Sequence, residues 1–152
     1  MAKKENMTKQ NSEKDEVDGL KLLCKGQTVY PHRVDSAILE TFPNKFPDRE
    51  YLVTFCTEEF TSLCPVTGQP DFGAISIAYT PAARCIESKS LKLYLFSYRD
   101  EQTFMETLTN RILDDCVAAC APRQMTVTGD FKARGGISIR VDATYMSSLS
   151  KD

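Results

Sequence analysis

The sequence lacks a histidine cluster, a closely spaced cysteine pair and any apolar run long enough to cross a membrane. It contains one histidine, His32, and six cysteines, none of them in Cys-x-x-Cys spacing. Cys116 and Cys120, four residues apart, are the one pair that a helix would bring to a shared face. With so few imidazole and paired thiolate ligands, we expect no metal site. A bilayer-spanning helix needs roughly 20 apolar residues, and no stretch approaches that length.

An excess of either charge is also missing. The formal net charge is −2, which provides no general attraction to nucleic acid or to an anionic membrane surface. The N-terminus has no apolar segment of the kind that forms a signal peptide, so we expect a cytoplasmic protein. In that reducing compartment the cysteines should remain free thiols, most of them small buried residues.

The first 18 residues differ in composition from the rest. They hold four lysines and five carboxylates, with no aromatic residue. Such a segment buries too little surface to offset its ordering entropy. We therefore predict a disordered tail at 1–18 and one folded domain at 19–152, a length suited to a single core.

Alternating and β-branched patterns predict four strands. Residues 50–56 are rich in aromatic and β-branched side chains, and from Phe72 the chain alternates, with Ile75, Ile77 and Tyr79 on one face. After the helical region, residues 125–131 and 137–141 should form two more strands around a glycine turn.

Two helices are predicted between these strand pairs. Leu91, Leu95 and Tyr98 form a stripe on the first helix. In the second helix the residues of the stripe recur every four positions: Phe104, Leu108, Ile112 and Cys116. Asp100 is a candidate N-cap for that helix, and Pro122 should end it. The order strand-strand-helix-helix-strand-strand indicates an α+β fold with helices on one face of a sheet, whose exposed edges an oligomer would cover.

The segment 59–72 contains the most informative chemistry, with a thiol at Cys64 and a carboxylate at Asp71 on a loop between two strands. A cysteine attacks as the thiolate, and a nearby acid can protonate what the attack makes negative. Residue types alone leave alternatives open. A cysteine in a Pro/Gly loop is more often structural, and an aspartate after proline is more often a turn former.

Four longer motifs decide between these alternatives. Residues 40–45 (ETFPNK), 60–72 (FTSLCPVTGQPDF), 87–99 (ESKSLKLYLFSYR) and 134–139 (RGGISI) occur in this order along the chain. In them the chain resembles the single-domain NADPH-dependent 7-cyano-7-deazaguanine reductases, which reduce a nitrile in queuosine biosynthesis, a tRNA modification pathway. The resemblance extends from about Leu22 to Tyr145.

The resemblance implies a role for each matching residue. Cys64 would add to the nitrile carbon to give a covalent thioimidate, and Asp71 would protonate the nitrile nitrogen. The substrate ring would contact five residues, namely Ile86, Glu87, Ser88, Met105 and Glu106. The NADPH cofactor would contact four, namely Lys89, Lys92, Arg134 and Gly135. Without the resemblance, a solvated helix face is the better explanation of Lys89 and Lys92.

The segment 100–106 departs from the family pattern. The family has Phe-His-Glu where this chain has Phe104-Met105-Glu106, and the residues at 100–103 also differ. Methionine packs against a ring but carries no proton. The alternatives are therefore an amidine-forming transferase acting on the same nitrile, or a slow or non-catalytic deazaguanine-binding homologue.

The resemblance also implies a fold and an assembly. The family has the tunnelling fold, in which subunits join their antiparallel sheets into a barrel and bind a purine-like ring between subunits. We therefore expect a homo-oligomer, specifically stacked rings of pentamers, with a small-molecule substrate and no direct nucleic-acid or membrane partner.

Overall fold

The computed structural model describes residues 17–22 and 26–148. The predicted tail at 1–18 therefore lies almost entirely outside the described residues, as does Cys24. Leu20 is already buried, with 6% of its surface exposed. The domain boundary at residue 19 stays a prediction.

The regular elements follow one another in a simple order. The strands are β1 (Thr41–Pro43), β2 (Val53–Leu63), β3 (Pro70–Thr80), β4 (Arg84–Ile86), β5 (Gln124–Arg134) and β6 (Ile137–Met146). The helices α1 (Ser88–Phe96) and α2 (Met105–Cys120) lie between β4 and β5, and short 3₁₀ helices occupy Ser36–Ile38 and Ser97–Asp100. No helix in the described part of the chain has the length and apolar character needed to cross a bilayer.

Two antiparallel sheets are present in the described residues. The larger has the order β2-β3-β5-β6, and the smaller pairs β1 with β4. The predicted α+β class and the order of the long elements are confirmed. The strands β1 and β4 were not predicted, because three residues are too few to show a period. β2 and β6, 11 and 10 residues long, form the two edges of the larger sheet.

The core lies between one face of the larger sheet and the two helices. Ile75, Ile77 and Tyr79 are at most 1% exposed, as their alternation predicted. On α2, Leu108, Ile112 and Cys116 have no exposed surface. The opposite face of the sheet carries half-buried and exposed side chains, so the helices cover one face of the sheet only.

The start of α2 differs from its prediction at two residues. Phe104 is not part of the buried stripe but is the N-cap residue, and it is 58% exposed. Asp100 lies in the preceding 3₁₀ helix, and no side chain caps α2. The prediction for Asp100 was wrong because a separate turn, which the sequence pattern did not show, stands between it and α2.

A two-residue turn connects β5 and β6. Gly135 and Gly136 have φ angles of +59° and +80°, a conformation that requires glycine and matches the twist of the flanking strands. The turn geometry therefore explains both glycines without any ligand. It places Arg134, the last residue of β5, at the end of the sheet where β2 leads into β3.

Candidate active site

One cavity brings together five of the predicted site residues. It has a volume of about 280 Å³ and lies at the end of the sheet, between the β2–β3 loop, the start of α2 and the β5–β6 turn. The predicted residues that line it are Cys64, Asp71, Met105, Glu106 and Arg134. Side chains separated by up to 70 positions in sequence therefore share one small space.

Cys64 follows directly after β2 and is held by a tight loop. Its backbone N–H donates to Gln69 O at 2.9 Å, and its carbonyl accepts from Gly68 N at 2.9 Å. Gly68, with φ of +69°, supplies the left-handed turn that closes the loop. The thiol is thus fixed at the cavity wall and remains partly exposed.

The same loop stabilises a thiolate at Cys64. The pKa of the thiol is lowered to about 7, chiefly by a hydrogen bond from the Thr67 side chain and by the backbone N–H groups of Thr67 and Val66. Arg134 contributes a smaller effect in the same direction. Because donors favour the charged form of a group, a large fraction of Cys64 is nucleophilic at neutral pH.

Asp71 was predicted to lie on the loop, but it is the second residue of β3. Its side chain is 7% exposed and forms an ion pair with Arg134, with Nη2 to Oδ1 at 2.5 Å. Arg134 Nη2 also lies 3.4 Å from Gln69 O and 3.5 Å from Pro70 O. The guanidinium therefore connects the β5–β6 turn to the β2–β3 loop and to the carboxylate of Asp71.

The N-terminal turn of α2 forms another wall of this cavity. Met105 is half-buried, and Glu106 is exposed in the first helical turn. The positive end of the helix dipole favours a carboxylate at that place. Glu106 is thus an exposed acceptor in the cavity that Cys64 also lines, and it is suited to the N–H edge of a ring.

The other predicted substrate residues lie elsewhere. Ile86, Glu87 and Ser88 line a different cavity of about 530 Å³, beside the β1–β4 sheet. Glu87 is 6% exposed and caps α1, with its carboxylate accepting from Lys89 N and Ser90 N at 2.8 Å each. The structure therefore divides the predicted ring-binding residues into two groups.

The distance between these two groups follows from the length of β3. Ile86 N donates to the hydroxyl of Tyr79 at 2.9 Å, at one end of β3, whereas Asp71 lies at the other end. Tyr79 and Asp71 are eight positions apart, or about 26 Å along an extended strand. A single small ring cannot contact both groups in one chain.

The cofactor candidates are divided in the same way. Lys92 lines a third cavity of about 360 Å³ together with Ser88 and Arg99, whereas Arg134 belongs to the Cys64 cavity. Lys89 Nζ donates to Leu22 O at 2.8 Å, which leaves the ammonium two further protons to donate.

Thr67 is the functional residue that the sequence analysis missed. It lies inside the quoted motif, three residues after Cys64, but only the folded loop shows that its hydroxyl points to the thiol. Lys132, Phe104 and Thr103 also line the cavity and were not predicted to do so. Of these three, only Lys132 could have been predicted from the sequence, because it precedes Arg134 by two positions on the same strand and side chains two apart share a face.

Comparisons with known proteins identify the family of the chain. A family model described as "QueF-like protein" matches residues 70–149. The NADPH-dependent 7-cyano-7-deazaguanine reductase of Syntrophus aciditrophicus is 61% identical over 107 residues, covering 70% of this chain and 76% of the relative. The protein of that name from Neisseria meningitidis serogroup B is 49% identical over 131 residues, covering 86% of this chain and 83% of the relative.

A solved structure is also similar. The crystal structure of the archaeosine synthase QueF-Like in the apo form superposes with a TM-score of 0.58 at 27% identity, covering 61% of this chain and 91% of that one. The match supports the predicted α+β architecture. Because the family model spans more than half of the chain and the relatives are this similar, the chain belongs to the family of QueF-like proteins.

Proposed function

We propose that this chain is an NADPH-dependent nitrile reductase that converts 7-cyano-7-deazaguanine to 7-aminomethyl-7-deazaguanine in queuosine biosynthesis. One observation carries the proposal. Cys64, with its pKa lowered to about 7, lies with Asp71 and Arg134 in one cavity, in a chain whose similar relatives bear that activity in their names.

The first step uses the nucleophile. The Cys64 thiolate adds to the electrophilic nitrile carbon, one C–N π bond breaks, and its electron pair moves to nitrogen. The proton that the Cys64 thiol loses passes to Asp71, which transfers it to that nitrogen, and the products are a neutral thioimidate and an aspartate carboxylate. Arg134, 2.5 Å from Asp71 Oδ1, stabilises the carboxylate that forms.

Reduction of the thioimidate to the amine needs two hydrides and further protons, and the C–S bond to Cys64 breaks between the two hydride additions, which regenerates the thiolate. NADPH supplies the hydrides, two equivalents for each nitrile. Cations are the chemical complement of its phosphates. The cavity that contains Lys92 and Arg99 has two cations and one carboxylate, Glu59, so its charge fits a phosphate-bearing ligand.

A complete site requires a second copy of the chain. Ring-binding residues near Cys64 and those at 86–88 lie at opposite ends of β3, and the cofactor candidates Lys92 and Arg134 line separate cavities. The Cys64 cavity, at about 280 Å³, is also slightly smaller than the roughly 300 Å³ at which ligand pockets usually begin. In the assembly we propose, one copy supplies Cys64, Asp71 and Glu106, and its neighbour supplies 86–88.

The sheet edges provide the means of assembly. β2 and β6 are long edge strands, and joining β6 of one copy to β2 of the next would satisfy their unpaired backbone groups. Such pairing repeats around a ring, in keeping with the stacked pentamers that the family resemblance implies. We place the enzyme in the cytoplasm, where reducing conditions keep Cys64 a thiol.

The assembly can be tested with one edge substitution. Val141→Pro places proline within β6, where it cannot donate a ladder hydrogen bond. Light scattering should then show smaller species that have lost nitrile reduction. A fully active monomer of the unchanged protein would contradict the shared site.

Met105 bears on the rate at which the thioimidate is reduced. A methionine cannot deliver a proton, so Asp71 and water must supply those that reduction consumes. Two other activities follow if reduction does not occur. A transferase would let an amine capture the thioimidate, and a binding protein would hold the ring without turnover.

One assay separates these activities. Protein is mixed with 7-cyano-7-deazaguanine, with and without NADPH and with and without ammonia, and products are analysed by mass spectrometry. We expect 7-aminomethyl-7-deazaguanine and two NADPH oxidised for each nitrile. An amidine formed only with ammonia would show a transferase, and unchanged nitrile in every mixture would show a binding protein.

A further inference from the structure

Ser62 has a hydroxyl group that the fold leaves without a partner. The residue has no exposed surface, and among the described residues its Oγ is the one buried side-chain oxygen or nitrogen with no hydrogen bond in the protein. A buried polar group without a partner destabilises a fold, and alanine would fill the same place without that penalty. A serine here therefore calls for an explanation other than packing.

The position of Ser62 points to the active site. It lies two residues before Cys64 and directly opposite Asp71 in the β2–β3 register. Residues directly opposite on antiparallel strands project to the same face, with Cβ atoms about 4.5–5.5 Å apart. The buried hydroxyl thus faces the carboxyl group that the proposed mechanism uses as an acid.

The two oxygens of Asp71 have room for separate donors. Arg134 Nη2 contacts Oδ1. A carboxylate accepts several hydrogen bonds, and a serine hydroxyl rotates freely to donate one.

We propose that Ser62 is a positioning residue for Asp71, a role that rests on the nitrile chemistry proposed above. Its hydroxyl donates to the carboxylate that remains when Asp71 gives its proton to the nitrile nitrogen. Ser62 keeps its own proton throughout. The bonds that form are Cys64 S–C and N–H, and those that break are one C–N π bond and the Asp71 O–H.

Two reactions of Cys64 separate this role from a structural one. Thioimidate formation, measured without NADPH by rapid quenching and intact mass, needs a proton donor. Alkylation by iodoacetamide needs only the thiolate. Ser62→Ala should slow thioimidate formation roughly tenfold, the effect of losing one hydrogen bond to a charged group, and leave alkylation unchanged.

Ser97→Ala is the matched control. Ser97 is also a buried serine, 1% exposed, but its Oγ donates to the Tyr94 carbonyl, away from the cavity. This control should lower the unfolding temperature by about 2–4 °C, the usual effect of one lost hydrogen bond in a chain of this size, with both reactions unchanged. Ser62→Ala should leave the unfolding temperature unchanged or raise it.

Each outcome is decisive. If the unchanged protein forms no thioimidate, the proposed function fails. If it forms one and Ser62→Ala forms it equally fast, the role of Ser62 is refuted. Slowing of both thioimidate formation and alkylation would show a displaced Cys64, and a fall in unfolding temperature like that of Ser97→Ala would show an existing structural partner. Either result overturns the inference.

Discussion

Cys64 and Cys116 show how two regions of one small domain give the same side chain opposite properties. The pKa of Cys64 is lowered to about 7 by donors in its loop. Cys116, on the buried face of α2, has its pKa raised well above the usual range, primarily by desolvation. Cys120, one turn further on, has a pKa raised to about 12, again chiefly by desolvation.

The two pKa values differ because Cys64 is surrounded by hydrogen-bond donors, with the Thr67 side chain first among them, whereas Cys116 is buried away from water. The loop at 64–69 turns N–H groups and the Thr67 hydroxyl towards the sulfur, so a negative charge there is solvated by the protein. The N–H groups around Cys116 are already used in helix hydrogen bonds, and its sulfur contacts apolar core residues. A cysteine becomes a nucleophile here because of the loop that carries it.

The largest expected effect comes from replacing each cysteine with alanine. Cys64→Ala should abolish both adduct formation with the nitrile and NADPH oxidation, because no other described cysteine shares the cavity with Asp71. Cys116→Ala and Cys120→Ala should retain both activities. Intact mass and cofactor absorbance measure the two reactions. An active Cys64→Ala protein would show that Cys64 is not the nucleophile.

The next largest effect is expected at Met105, at the opposite end of α2 from Cys120. If the family's histidine supplies protons during reduction, Met105→His should accelerate NADPH consumption, by at most the 10²–10⁴-fold that a positioned acid provides. Adduct formation should hardly change, because Cys64 and Asp71 remain. The gain is expected to be partial, since residues 100–103 also differ from the family pattern.

Rapid-mixing experiments on the two proteins would follow adduct formation and cofactor oxidation separately. Met105→Gln, which is polar but has no group that titrates near neutral pH, is the matched control. Equal reduction rates in the unchanged protein and Met105→His would show that the histidine is dispensable in this chain.

A smaller effect is expected from the loop itself. Thr67→Val removes the hydroxyl, the first cause of the lowered Cys64 pKa, and should move it from about 7 towards the ordinary value of about 8.5. A raised pKa means less thiolate at neutral pH, so alkylation at pH 7 should slow by up to about tenfold. The two proteins should react equally fast above pH 9.

Thr67→Ser keeps the hydroxyl, so the pH midpoint of Cys64 alkylation should stay near 7. The rate of Cys64 alkylation against pH, resolved by peptide mass, gives the midpoint for each variant. A midpoint that Thr67→Val leaves near 7 would mean that backbone N–H groups alone stabilise the thiolate.

The smallest expected effect on activity comes from the core cysteine. Cys116→Ser places a hydroxyl at a site with no exposed surface, among apolar side chains. Such a group typically destabilises a fold by about 1–3 kcal/mol unless it finds a partner. Denaturant titration of Cys116→Ser should show a lower free energy of unfolding, while the alkylation of Cys64 stays unchanged. Cys64→Ser should keep the free energy of unfolding and lose alkylation at position 64.

Periodicity predicted the parts of the fold that repeat. Ile75, Ile77 and Tyr79 on β3 and Leu108 and Ile112 on α2 are buried as their spacing indicated. Single residues at element ends were less predictable. Asp100 and Phe104 were misplaced because the 3₁₀ helix between α1 and α2 has no period of its own. Most of the described cysteines are buried, as expected, and Cys56 is exposed.

The site was predictable in composition but not in arrangement. Motif resemblance selected Cys64, Asp71 and Arg134, but the contact between Asp71 and Arg134 joins strands 63 positions apart. Neither spacing nor resemblance indicated that 86–88 would lie at the far end of β3. Such facts depend on tertiary packing, which local sequence patterns do not specify.

The central claim is that Cys64 is the nucleophile that captures the nitrile. Its most direct test is to incubate the protein with 7-cyano-7-deazaguanine without NADPH, quench it, and map the modified peptide by mass spectrometry. The account predicts one adduct per chain, on the peptide that contains Cys64, with the mass of the intact nitrile. An adduct on Cys56 or any other cysteine would contradict it, and so would reduction of the nitrile by a protein that never forms an adduct.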